Sequence, residues 1–486
     1  MMNFFTVFVI CIWVQVIRAV SRVAVIGGGI GGTSAAFFLK QKMSRNVEID
    51  LIDDGGALGG RLATVHVPEV DREYETGGSI IHSSNKLMLK FMDICGLKKK
   101  FHPSSPITIH KDGEAVFQGW GYPWLDTVRM GWRHGFRSSY KLARFVDKLV
   151  NKFSSIYDEL ENPDKYFKSV AEMLESMEPD NEMMDLTKVT LAEKLDSLGI
   201  DQLLIDELAT LATLGNYGQM PDSLHAFVGF VAMAGTGGSL FSVLGGNKQV
   251  AACNMRNSGA RGYNGTATRV SRKNGAFTVK IKFDNFFKPA VVKEYDAVII
   301  ATPLTSDLGS LELPEDVNQD FPGRYHKTVT TIVQGELVPS ALGFEENSSF
   351  TTSNIFLDPS SNIIALNKAV PVDYNPDEDD DVLPSVFGMH SRKEFSPSEL
   401  RKMFSNVKFT HSKSWLAYPH YTTQDDFTSY ELSPGLYYLN RIEWAASAME
   451  MSAISAKNIA NMAASYLDQK ENIKIYEQRN RIKDEL

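Results

Sequence analysis

Three glycine clusters with charged residues at set distances mark where this 486-residue chain could do chemistry. Gly27-Gly-Gly29-Ile30-Gly31-Gly32 satisfies GxGxxG, directly after Arg22-Val-Ala-Val-Ile and directly before Thr33-Ser-Ala-Ala-Phe-Phe-Leu-Lys40. A short buried strand running into glycines and on into a helix has a definite use. Gly27 allows the tight turn, Gly29 lets a pyrophosphate approach the backbone, and Gly32 lets helix and strand pack closely, with the helix amino terminus facing the phosphate charge. Glycines alone are a weak signal, and their context strengthens them. A second strand, Val47-Glu-Ile-Asp-Leu-Ile52, ends at Asp53, 21 residues after Gly32, where a carboxylate binds a ribose hydroxyl. An acid here, with no basic neighbour for a 2′-phosphate, disfavours NADP. Gly59-Gly60-Arg61 and Glu75-Thr-Gly77-Gly78-Ser79 follow.

Other chemistries lose their usual warrants. There is no GxSxG nucleophile elbow and no HExxH pair. Three Cys without CxxC or Cys/His spacing leave no recognisable metal site, and whether Cys95 and Cys253 pair is open at this level. A formal charge of −9 argues against nucleic acid, whose phosphates need surplus Lys and Arg. The length is roughly three times a ~150-residue domain, so two or three cores are expected. The apolar run Phe4–Ile17 is too short to cross a ~30 Å hydrocarbon layer and reads as a secretory signal peptide over 1–19. The last four residues, Lys483-Asp-Glu-Leu486, match the address read by the KDEL receptor for return to the endoplasmic reticulum, with lysosome or secretion as the alternative. Sequons at Asn264 and Asn347 fit a lumenal glycoprotein.

The order of glycine clusters, with Gly59-Gly60-Arg61 after the strand-ending acid, resembles the flavin amine-oxidase superfamily, which implies FAD. Within it, Tyr74-Glu-Thr-Gly-Gly-Ser-Ile-Ile-His82, Asn216-Tyr-Gly-Gln219, Ala226-Phe-Val-Gly229, Gly245-Gly-Asn-Lys248, Trp415-Leu-Ala-Tyr-Pro-His-Tyr421 and Ala445-Ala-Ser-Ala-Met-Glu-Met-Ser-Ala-Ile454 resemble the prenylcysteine oxidase family. The resemblance spans about 22–464 and departs at Asp53, where Glu is usual, and at the KDEL terminus. It implies oxidation of a thioether at the carbon next to sulfur by hydride transfer to the flavin. Water capture then gives free cysteine and a prenyl aldehyde, and O2 takes the electrons to give hydrogen peroxide. By the same resemblance Arg61 reaches the diphosphate or flavin, Gly77, Gly78 and Ser79 lie beside the flavin, Val270 belongs to the second flavin-binding part, and Glu450 and Ser452 position diphosphate and flavin by hydrogen bonds.

The fold class expected is α/β: a Rossmann-type FAD-binding domain assembled from 22–90, 216–305 and 432–468. A mixed α+β substrate domain comes from 91–215 and 306–431, and 469–486 is a terminal tail. Ile107–Trp120 reads as two strands around a turn at Lys111-Asp112-Gly113, and Lys273-Asn274-Gly275 as another hairpin turn. Residues 140–214 read as mostly helical, and Lys327–Gln334 as a strand. Asp377–Asp381 reads as a solvated loop. A prenyl tail requires an apolar tunnel, for which Phe227, Phe230, Met233, Leu240 and Phe241 are candidates. The small Ala448 stands where amine-oxidizing relatives carry an aromatic ring, and so leaves room for an apolar chain. His82, His225 and His420 are candidate proton carriers. No basic amphipathic helix stands out, although so apolar a substrate makes peripheral membrane contact an expectation.

Overall fold

The structure, a computed structural model, describes residues 20–484 apart from 56–57, 102–105, 178–180, 236–238, 286, 309–310, 343, 345–352, 376–382 and 425–426. The expected signal segment, the sequon at Asn347, the acidic run at 377–381 and the last two residues lie outside the described residues.

The strand Ser21–Ile26 is apolar and unexposed on both faces over Val23–Ile26 because it is interior to a parallel sheet covered on both sides. That sheet has six strands in the order Arg261–Asn264, Val47–Asp53, Ser21–Ile26, Ala297–Ile300, Leu436–Tyr438, Glu431–Ser433, all parallel but for the last pair. Register is set by the buried side chains: Val23 lies opposite Ile49 on one side and Ala297 on the other. One face is covered by the helix Ile30–Met43, which sits between Lys248–Ser258 and the closing helix Met449–Asp484. The other face meets a three-stranded antiparallel sheet, Thr266–Lys273, Ala276–Lys282 and Val291–Tyr295, through Ala24, Ile26 and Ile300 packed with Phe277, Val279 and Ile281. This is the Rossmann-type α/β architecture expected from the sequence.

A second sheet of seven strands runs in the order Phe404–Pro419, Tyr325–Leu337, Val386–Ser391, Ile363–Lys368, Ser353–Phe356, Ile107–Lys111, Glu114–Gln118, antiparallel except between Ser353–Phe356 and Ile107–Lys111. Helices from Pro123–His134 to Ala226–Ala234 make up the rest of this half. Both expected hairpins form, with Asp112 and Gly113, and Asn274 and Gly275, at positive φ. Cys95 and Cys253 form a disulfide that ties the end of Lys86–Ile94 to Lys248–Ser258.

The expected separate tail from 469 is corrected: Met449–Asp484 is one helix. From Gln469 on the chain holds no Gly or Pro and is rich in Lys, Glu, Gln and Arg, which all favour helix. Lys470 also fastens this stretch to the sheet layer, through Asp296 at 3.1 Å and the Gly275 carbonyl at 3.1 Å.

Candidate active site

The first strand delivers Gly27 to the carboxyl edge of the parallel sheet with φ +112°, where a Cβ would lie 2.8 Å from the Ala301 carbonyl oxygen. Beyond it Gly29 begins the first helix. A Cβ on Gly29 would meet nothing nearer than the Gly59 oxygen at 3.7 Å, so the space above it is open. No side chain caps this helix and its first turn carries no acid, which leaves its amino-terminal N–H groups for a bound anion. Asp53 stands beside them: Oδ2 accepts the Gly28 N–H at 2.6 Å and Oδ1 the Gly55 N–H at 2.9 Å. Gly27, Gly29, Ile30, Gly31, Asp53, Gly60, Arg61, Gly77, Gly78 and Ser79 all line one cavity of about 650 Å³; Gly32 instead packs against the Gly27 carbonyl below. An open glycine floor, an uncapped helix start and a carboxylate at the rim fit an adenine dinucleotide.

Arg61 is held by the protein. Its guanidinium pairs through both terminal nitrogens with Glu443 and donates to the Ala417 carbonyl at 2.8 Å. Burial opposes its charge, and Glu443 more than offsets that, so Arg61 stays above its usual range. Glu443 is buried and also accepts from Tyr325 Oη at 2.8 Å and Asn440 Nδ2 at 2.7 Å. This clamp had no sequence signal, because its members come from four separate stretches. Arg61 and Glu443 both face the cavity, so the pair presents a fixed guanidinium edge to what binds there.

Glu450 and Ser452, at the start of the closing helix, also line the cavity, as does Ala448. The carboxylate of Glu450 is committed elsewhere: it accepts the Leu87 and Met88 N–H groups at 2.7 and 2.9 Å and Tyr157 Oη at 2.8 Å. It therefore caps the helix Lys86–Ile94 and fixes the cavity wall there. Burial pushes its pKa up to about 7 against those three donors. Val270 is a correction: its side chain is in the core between the two sheets, its N–H goes to the Glu312 carbonyl at 2.7 Å, and it is not among the lining residues.

The three histidines separate. His82 lines the cavity, its Nδ1 accepting the Ser84 N–H at 3.0 Å, so the neutral ring carries its proton on Nε2. His225 is fully buried and caps Ala226–Ala234, Nδ1 accepting from the Val228 N–H at 3.3 Å and Nε2 donating to the Trp444 carbonyl at 3.1 Å. It is not a proton carrier. His420 stacks on His326 and is not among the lining residues. A fourth, His390, was missed: it faces the cavity from Val386–Ser391, Nδ1 3.3 Å from Thr330 Oγ1, in a stretch with no motif to flag it. Of the tunnel candidates, Phe227, Phe230 and Leu240 line the cavity, whereas Met233 and Phe241 are core. Alternation explains Phe241: its neighbour Leu240 on the same short strand takes the cavity side. Asn264 is exposed at the end of its edge strand, open to modification.

The lining is divided. Val146, Leu149, Val150 and Phe153 from Phe136–Phe153, with Phe227, Phe230 and Val231, make an apolar wall; Phe153 and Phe227 are 6.5 Å apart between ring centres. Thr328, His390, Trp415 and Tyr418 come from the seven-stranded sheet and are polar-edged. Tyr217 and Tyr418 meet edge to face at 5.3 Å, and Tyr418 is also stacked with His326 at 5.6 Å.

The family model described as prenylcysteine lyase matches residues 117–478. The chain belongs to that family. A second model, described as an NAD(P)-binding Rossmann-like domain, matches residues 25–95. Among relatives in the family, prenylcysteine oxidase 1 of Bos taurus is 33% identical over 466 residues, covering 91% of this chain and 88% of its own. The Homo sapiens prenylcysteine oxidase 1 is 32% identical over 462 residues with the same coverages, and Homo sapiens prenylcysteine oxidase 1-like 30% over 459, covering 91% and 90%. Among solved structures, a fatty acid isomerase from P. acnes that produces CLA superposes with TM-score 0.61 at 15% identity over 90% of this chain and 97% of its own. Putrescine oxidase bound to putrescine gives 0.56 at 14% over 90% and 98%. At such identities these two share the fold.

Proposed function

We propose that this chain is an FAD-dependent oxidase that cleaves the thioether of a prenylated cysteine. With one O2 and one water per turnover, the carbon–sulfur bond is exchanged for an aldehyde, a free cysteine thiol and hydrogen peroxide. The observation that carries the reading is one cavity continuous from the glycine cradle to an apolar helical wall, in a chain of the prenylcysteine lyase family.

FAD would be held by Gly27–Gly31, Asp53, Gly59–Arg61 and Gly77–Ser79, with Gly32 packed beneath the cradle. When bound, FAD supplies the two-electron acceptor for the carbon next to sulfur and passes the electrons to O2. The protein's share is placement. Phe153, Phe227 and Phe230 take the prenyl chain, each buried methylene being worth about 0.8 kcal/mol. Tyr418 and His390 offer hydrogen-bonding edges to the amino-acid end, while the Trp415 Nε1–H is already donated to Thr330 Oγ1 at 3.2 Å. A thioether needs no ionised base, so His82 and His390, which face the cavity, are not called on as one. Ala448 leaves open the space an aromatic ring would fill. The Cys95–Cys253 disulfide and exposed Asn264 support an oxidising lumenal setting.

Purified protein incubated with farnesylcysteine in air should give thiol, farnesal and peroxide in equal amounts. Peroxide from putrescine or spermidine, with none from farnesylcysteine, would replace this reading with amine oxidation.

A further inference from the structure

Helix Pro123–His134 carries Trp124, Val128 and Trp132, 68%, 44% and 79% exposed, four residues apart and so on one face. Across the break at Gly135, Phe136 and Tyr140 at the start of Phe136–Phe153 are exposed as well, and the Phe136 ring lies against Gly131 of the first helix. Singly exposed apolar residues need no explanation; a contiguous aromatic stripe does. The charge around it runs against the molecule: residues 120–152 hold seven Lys or Arg and two Asp, in a chain of net charge −9. Some of that charge is neutralised, Arg133 by Glu207 and Lys148 and Lys152 by Glu182. The rest is held by neutral groups: Arg129 over the Trp120 ring at 4.1 Å, Arg144 over Tyr140 at 5.9 Å, and Lys141 on the Leu198 carbonyl at 2.6 Å. Arg137 is exposed.

We propose that this face docks in the interfacial layer of an anionic lipid bilayer, with Trp124 and Trp132 as anchors and Arg129, Arg137, Lys141 and Arg144 on the headgroups. Trp and Tyr favour the headgroup level, and a helix with one aromatic face and basic flanks lies in the interface plane. No described helix is long and apolar enough to cross a membrane. Continuity with the site supports lipid over a protein partner. The helix whose outer end shows Phe136 and Tyr140 goes on to place Val146, Leu149, Val150 and Phe153 in the cavity wall. A molecule with one long apolar chain would pass from bilayer to cavity along that helix. The sequence reading missed this helix because its basic residues are spread across the junction with the next one, and each segment alone is unremarkable.

The test uses the purified flavoprotein and vesicles of phosphatidylcholine with or without phosphatidylserine. The wild type should sediment with phosphatidylserine vesicles and its Trp emission should shift to the blue. Trp124→Ser with Trp132→Ser should weaken partitioning about tenfold, with the flavin spectrum and melting unchanged. Arg137→Gln with Arg144→Gln should weaken it about thirtyfold on anionic vesicles and leave neutral ones as they were. A wild type that stays in the supernatant, a tryptophan variant that binds as well as wild type, or a solution dimer that the tryptophan variant dissolves would each overturn the proposal. Lipid binding is read without turnover, so its failure is distinct from failure of the oxidase reaction.

Discussion

Asp53 holds the loop together, its oxygens accepting the Gly28 and Gly55 N–H groups, and it borders the cavity beside the glycine cradle. Asp53→Ala should therefore release FAD readily during purification, measured as the ratio of flavin to protein absorbance; unchanged retention would refute the assignment. Glu443 is the opposite case, with no sequence motif and a central place in the site. Glu443→Gln takes away the charge facing Arg61 and should cost about 2–3 kcal/mol in a urea titration, less than a wholly enclosed pair because Arg61 borders the cavity. An unchanged midpoint would show that the Ala417 carbonyl suffices. The contrast explains what could be read from the chain. Gly27 and Gly29 act through local backbone geometry that a spacing of a few residues encodes, and Asp53 through its place at the end of the second strand, 21 residues after Gly32. Glu443, Tyr217 and His390 act through contacts 60 to over 380 residues apart, and single-residue chemistry does not show which ring will face the cavity and which the core.

At the level of elements, His225 makes a pH prediction. Burial holds its pKa down to about 4, and its Nδ1 lone pair must stay unprotonated to cap Ala226–Ala234. A group whose folded pKa lies below its unfolded value of about 6.5 contributes stability above pH 6.5, lost as pH falls towards 4. Unfolding midpoints should thus decline from pH 6.5 to 4, and His225→Asn, a capping residue without this titration, should decline less; an identical slope would contradict the assignment. Strands and hairpins were the most legible elements, because Val23–Ile26 and Ala297–Ile300 are continuous apolar runs and Asn274-Gly275 is a turn dipeptide. The closing helix was misjudged at its end, since a polar run of helix-formers reads equally as tail until Lys470 is seen to reach Asp296.

Over the whole molecule, the cavity exists because the Rossmann sheet and the seven-stranded sheet meet through pieces contributed by distant parts of the chain. The disulfide fastens the helices Lys86–Ile94 and Lys248–Ser258 to each other on the Rossmann side, across 158 residues of sequence. In the chain-entropy account a loop that long stabilises by up to about 5 kcal/mol, so reduction should lower the unfolding midpoint markedly; an unchanged midpoint would mean the junction is held by packing alone. The division of the lining into an apolar wall and a polar-edged sheet is the feature no motif announced, since it arises only when Phe136–Phe153 and Phe404–Pro419 face one another. The central claim, that the glycine cradle and the apolar wall serve a single redox event, is tested most directly by mixing the purified protein with farnesylcysteine under anaerobic conditions. The flavin absorbance should bleach in a single two-electron step and return on admitting air. A protein that carries flavin and keeps its full absorbance with farnesylcysteine, or that takes up no flavin at all, would contradict the account.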